Sequence, residues 1–490
     1  MRDARGLDLT ADDPSAVAAA DDFAARLLRL DRGVEAIVDA AKRWPKTPII
    51  QLYAATFWLY GQTDGAREAA GAHLRACKAL TMNGRERALH GALALWHGNE
   101  NLRAVVTLEA ITAEWPGDLL TAKLAEFLYY VLGQQHLGPR FRAHMQRLEP
   151  VHADDPDFLA MAVFASELCG DYPDAEARAE RALCIEPRNP WAQHALTHVL
   201  IRQGQVQKGL ARMELFLPLL ATCGRPIHCH DAWHLALLHL EQLDVAAAMR
   251  VFRTHIWGIT PDFVVEQLDA IALLWRIEMA GTPMDAEWPS IAEHIAARAG
   301  ETFMPFMNAH YLYALARAGR GDAVEAALAR VHARSTADDD EAKRVWAPVG
   351  RSVVEAAAAF GAGDRARAAA MLDPVMPMMT AIGGSDAQDD LFRQAYLRSL
   401  QAAGRHADAA AYFDRITAKK SRTPHSIACW RINRRQRVDC AKKPQSAESN
   451  YLSSMTALTP AAAARDHRVR GAGAACRRAA PPSRAELPAR

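Results

Sequence analysis

No apolar run in this 490-residue chain approaches the ~20 residues needed to cross a bilayer, so no membrane span is expected. Valine, isoleucine and threonine form no alternating runs, so half-buried strands have no signature. The eight cysteines are scattered and form no CxxC pair. They give no pattern for a disulfide framework or a thiolate zinc site, and a reduced, cytoplasmic protein is expected. The opening residues Met1–Asp8 are charged and lack the apolar core of a secretory leader. Also missing are GxxxxGK[ST], GxGxxG after a strand, GxSxG and HExxH. Nucleotide, dinucleotide, α/β-hydrolase and zincin chemistry therefore have no motif to rest on.

What is present is alanine-rich and half hydrophobic, enough for a large helical core. The net charge of +1 hides an asymmetry. From Lys419 onward there are 16 Lys+Arg and 4 Asp+Glu, which leaves 42 and 53 for the preceding residues. An acidic body is followed by a basic tail rich in Ala, Pro and Ser. Low apolar content and high net charge predict disorder there. Nucleic acid is not an expected partner, except weakly through this tail.

A glycine closes successive amphipathic segments at Gly61, Gly98, Gly133, Gly170 and Gly204, in steps of 37, 35, 37 and 34. Prolines punctuate the opposite turns at Pro116, Pro150 and Pro187. Ala175, Ala179 and Ala182 share one helix face. A period near 34 with this order of glycine, alanines and proline resembles the tetratricopeptide repeat. Later glycines, Gly281, Gly319, Gly361 and Gly404, are spaced 38, 42 and 43 apart. The hairpins continue there with longer helices or loops. The expected fold is all-α: an α-solenoid of tetratricopeptide-like hairpins forming a right-handed superhelix over residues 14–418. A flexible segment, 1–13, precedes it and a mostly disordered basic tail, 419–490, follows.

Two histidine pairs recur with this period. His194 and His198 are four apart, as are His230 and His234, and the second pair lies 36 residues after the first. Residues four apart share a helix face. Residues one period apart occupy equivalent places on neighbouring units. Four imidazoles are therefore expected on one wall of the groove lined by the first helix of each hairpin. Stepping back by one period gives Phe158 and Ala162, then Ala122 and Glu126, then Glu86 and His90. Imidazole pairs at i and i+4 can chelate zinc or a similar ion. The same rings can also serve as packing groups that hydrogen-bond Asp or Glu. Trp191, Trp233 and Trp275 lie close by in sequence and are expected to pack rather than to stack on a ligand.

The resemblance narrows further. Pro190–Val199 (PWAQHALTHV), Cys229–Leu237 (CHDAWHLAL) with Leu240 and Glu241, Leu274–Glu278, Asn308–His310, Gly383–Gln388 and Arg85–Arg87 with His90 are similar to the tetratricopeptide repeat protein 38 family. The match covers roughly residues 20–435, and departs from the family's usual residues at Glu126 and Asp389. It implies the fold more than any activity. It also implies that Asp269, Arg276, Asn308, His310, Gln388 and Asp390 close the site if the superhelix curls. Two readings follow. One is a ligand- or protein-binding scaffold, holding a protein, peptide or small molecule in a histidine-lined groove. The other is a small-molecule or metal-dependent enzyme using the same groove. No catalytic motif and no cofactor motif is present, and the pattern does not decide whether the cluster holds a metal.

Overall fold

The computed structural model describes residues 1–417, and its regular structure there is helical. Twenty-two α-helices follow one another as pairs, from Pro14–Arg29 to His406–Thr417. Local chemistry explains where they start. Asp155 and Asn189 accept hydrogen bonds from the free N–H groups of the helices that open at Pro156 and Pro190. Proline is suited to that first position because its missing N–H would have had no partner. The inner turns bear out the glycine pattern at Gly133, Gly170 and Gly204, where φ is positive. At the first two turns the left-handed position falls one residue later, on Gln62 and Asn99. Pro150 differs from expectation, lying inside the helix Gly138–His152.

The two helices of a pair differ in burial. Pro156–Leu168 is buried from Asp157 to Glu167, whereas Tyr172–Ile185 buries only Ala175, Ala179, Ala182 and Leu183. First helices form the interior and second helices the outer layer. Small alanines let the layers approach closely. After Gly204 the hairpins become irregular: two stretches are π-helical, Phe252–Ile256 and Ala342–Gly350, and Met376–Ile382 is a 3-10 turn between Gly361 and Gly404. A π turn takes up extra residues without ending the helix.

The chain also closes on itself. Gly384 donates to the Tyr130 carbonyl and accepts from Gln134 N–H, at 2.9 and 3.0 Å. Arg276 donates to the Ala387 carbonyl at 2.8 Å. Arg202 of a third hairpin pairs with Asp386, so the start of helix Asp386–Ala402 sits where three earlier hairpins meet. At the other end, Gly224 donates to the Leu30 carbonyl at 2.8 Å, and Arg29 pairs with Asp157 at 2.9 Å. The 1–13 segment, expected to be flexible, is instead held down. Leu9 is buried, Arg5 pairs with Asp155, and Thr10 N–H donates to Glu86. The basic tail from Lys419 lies outside the described residues. No described helix is long and apolar enough to cross a membrane.

Candidate functional site

His194 and His198 lie on the first helix Pro190–Arg202, and His230 and His234 on the next first helix, Arg225–Glu241. Helical spacing turns each pair to one side, and stacking brings the pairs together. Ring centroids are 4.6 Å apart for His194–His198, His194–His234 and His198–His234. They are 4.9 Å apart for His194–His230 and 5.0 Å for His230–His234. His194, His198 and His234 are buried, while the His230 side chain remains 15% exposed.

Three of the four rings lean on a carboxylate. His194 Nδ1–H donates to Asp231 at 2.7 Å, His230 Nδ1–H to Asp269 at 2.9 Å, and His198 Nδ1–H to Asp386 at 3.1 Å. His198 Nε2 and His234 Nε2 are 3.2 Å apart. Arg202 sits on Asp386 at 2.6 Å and on Glu167 at 3.4 Å. Trp233 stacks on His230 at 5.3 Å. Lys123, ion-paired with Glu126, lies 3.7 Å over the Trp191 ring.

Burial dominates the electrostatics. It pushes the His194 and His234 imidazoles well below their usual pKa, and the neighbouring histidines add to the effect. Both rings are therefore neutral at physiological pH, the form that offers a lone pair. Burial, reinforced by Asp269, pushes the Asp231 carboxyl well up. Asp386 goes the other way: burial would raise it, but Arg202 and the His198 hydrogen bond hold it well below the ordinary range. Burial also lowers Lys123, with Glu126 opposing.

The other residues singled out in the sequence divide into two groups. Asp269 reaches the cluster, and Glu126 stands one shell away through Lys123 and Trp191. The rest do not join the rings. Glu86 closes a capping box with Asn83, and His90 bonds the Leu74 carbonyl. Asn308 ties down the carbonyls of Ala299 and Glu301. His310 bonds the Phe306 carbonyl in an aromatic nest, where burial lowers its pKa to about 3. Gln388 serves as the far member of the capping box opened by Ser385. Trp275 stacks flat on Tyr313 at 3.8 Å. Sequence reasoning missed Asp231, Asp386, Arg202 and Lys123 as members of the site. Asp231 had a signal, because it lies 37 residues beyond His194, about one repeat, as Asp269 lies 39 beyond His230. Asp386 had none, being 188 residues from His198. A surface pocket lined by Trp58, Arg67, Trp96 and Phe303 contains none of these groups.

Fold and site together define an all-α helical-hairpin repeat protein with a histidine cluster in its interior. No protein-family description matches the chain. Among solved structures it is similar to an IFIT1 monomeric mutant with Gppp-AAAA, at 13% identity and a TM-score of 0.41, over 89% of this chain and 98% of that one. That likeness is too distant to carry anything to this chain.

Proposed function

We propose that this protein is a helical-repeat binding protein that holds a small polar ligand or ion within its closed interior, at the histidine cluster. The observation that carries this reading is a set of buried polar atoms at the rings with no hydrogen-bond partner: His234 Nδ1, Asp231 Oδ2 and Trp233 Nε1. Leaving such a group unmet costs about 1–3 kcal/mol, and a bound species would meet it. A long peptide is a poorer fit. Ala122, Phe158 and Ala162, which should line an open groove, are buried. The resemblance to the tetratricopeptide repeat protein 38 family supports the same place, because its segments Pro190–Val199, Cys229–Leu237 and Gly383–Gln388 supply the rings and Asp386.

The test is ligand-induced thermal stabilisation of the full chain, with acetate, inorganic phosphate, divalent ions and a basic peptide as probes. A ligand that binds only the folded state raises its stability as its concentration passes Kd. At least one small species should stabilise the protein saturably, and His230→Ala should remove that effect. Stabilisation by the peptide alone, unchanged in His230→Ala, would move the function to an outer docking surface.

A further inference from the structure

We propose that the cluster is a three-histidine site for a borderline divalent transition-metal ion of the zinc class, ligated by His194, His230 and His234, with His198 as the outer partner of His234. This rests on the binding reading above and names its ligand. The three residues each place one nitrogen within 4.8 Å of the other two. An ion with metal–nitrogen bonds of about 2.0–2.1 Å needs its ligand nitrogens about 3.3 Å apart in a tetrahedron, so ring adjustments of about 1 Å suffice.

Proton bookkeeping supports the same set. His194 and His230 spend Nδ1–H on Asp231 and Asp269, which leaves the Nε2 lone pair of each free. That is the carboxylate–histidine–metal arrangement, in which the carboxylate fixes the tautomer and raises ligand basicity. His198 Nδ1–H faces Asp386, so its Nε2 must accept. The donor is then His234 Nε2–H, 3.2 Å away. The remaining lone pair of His234 is on Nδ1, the fully buried atom that has no partner. Reversing both tautomers would aim a lone pair of His198 at the Asp386 carboxylate.

Charge points the same way. Among the described residues, Asp231 and Asp269 each have a histidine and no Lys or Arg at ion-pair distance. Each therefore stands behind its ring as the outer partner that orients a metal-bound histidine. A second donor group, Glu167 with His198 and Asp386, does not compete, because Arg202 already supplies its positive charge. Imidazole ligands select zinc, copper, nickel or iron over magnesium or calcium.

The experiment uses untagged full-length protein, stripped with a chelator and titrated with Co(II). One equivalent should develop the ligand-field absorption of a four- or five-coordinate ion, and Zn(II) should displace it. His194→Gln and His230→Gln should abolish the absorption. His198→Gln should keep one equivalent and weaken affinity by about 10–100-fold. Far-UV circular dichroism shows which variants fold. Should the His194 variant not fold, His230→Gln decides, since its ring is partly exposed. X-ray absorption of the wild-type zinc form should show three imidazole nitrogens at about 2.0–2.1 Å. Absence of saturable absorption, full absorption in folded His230→Gln, or an oxygen-dominated shell overturns the proposal. If Co(II) fails while phosphate or acetate still stabilises the protein through His230, the metal assignment falls and the binding reading stands.

Discussion

His144 shows how far burial alone governs a side chain in this protein. Its ring is buried, with Nε2 2.8 Å from the Thr112 hydroxyl and Nδ1 3.1 Å from the Tyr129 hydroxyl, and burial lowers its pKa to about 4. The unfolded chain takes up this proton near pH 6.5, so the stability that depends on a neutral His144 is complete above that pH. It is lost as the pH falls from about 6.5 to about 4. The full loss is on the order of 3 kcal/mol. His144→Gln should flatten the pH dependence of denaturant midpoints in that window relative to wild type; identical profiles would refute the argument. At this scale the sequence was informative where chemistry repeats. The i, i+4 spacing and the 36-residue step were enough to expect the four rings together. The same repeat could have supplied Asp231, but no local pattern could have supplied Asp386 or Arg202's claim on it.

Helices start where capping chemistry demands, and one start matters to the cluster. Ser385 and Gln388 form a capping box at the head of Asp386–Ala402, so Asp386 is the first residue of a fixed helix. Ser385→Ala should cost about 1 kcal/mol of stability, measured by chemical denaturation. It should also loosen His198, read as a changed imidazole resonance in NMR. A normal His198 signal in that variant would mean Arg202 alone holds the carboxylate. Gly133 is the stricter case. Its φ is +94° and an added Cβ would lie 1.9 Å from the Thr380 carbonyl oxygen. Gly133→Ala should destabilise by more than the ~1–3 kcal/mol of backbone strain alone. Hairpins and most inner turns were legible from glycine, proline and alanine spacing. The π-helical and 3-10 stretches were not, because they carry no composition signal.

An open solenoid unfolds in pieces, since each repeat touches only its neighbours. This chain is tied across by Leu30 to Gly224 and by Gly384 to Tyr130 and Gln134. Equilibrium unfolding of the body should therefore be one transition, coincident by tryptophan fluorescence and circular dichroism. Two separated transitions would show that the ties contribute little. Closure was the least legible feature of the fold, because it depends on curvature summed over many hairpins. Asp386 is the partner of His198 across 188 residues. At synthesis rates of about 5–20 residues per second, the histidine helices leave the ribosome roughly 10–40 s before that carboxylate exists. The cluster is thus finished by the last described hairpin. A chain stalled or cut short before that hairpin would carry all four imidazoles with only part of their support. Quality control could therefore tell a complete product from a fragment by its histidines alone.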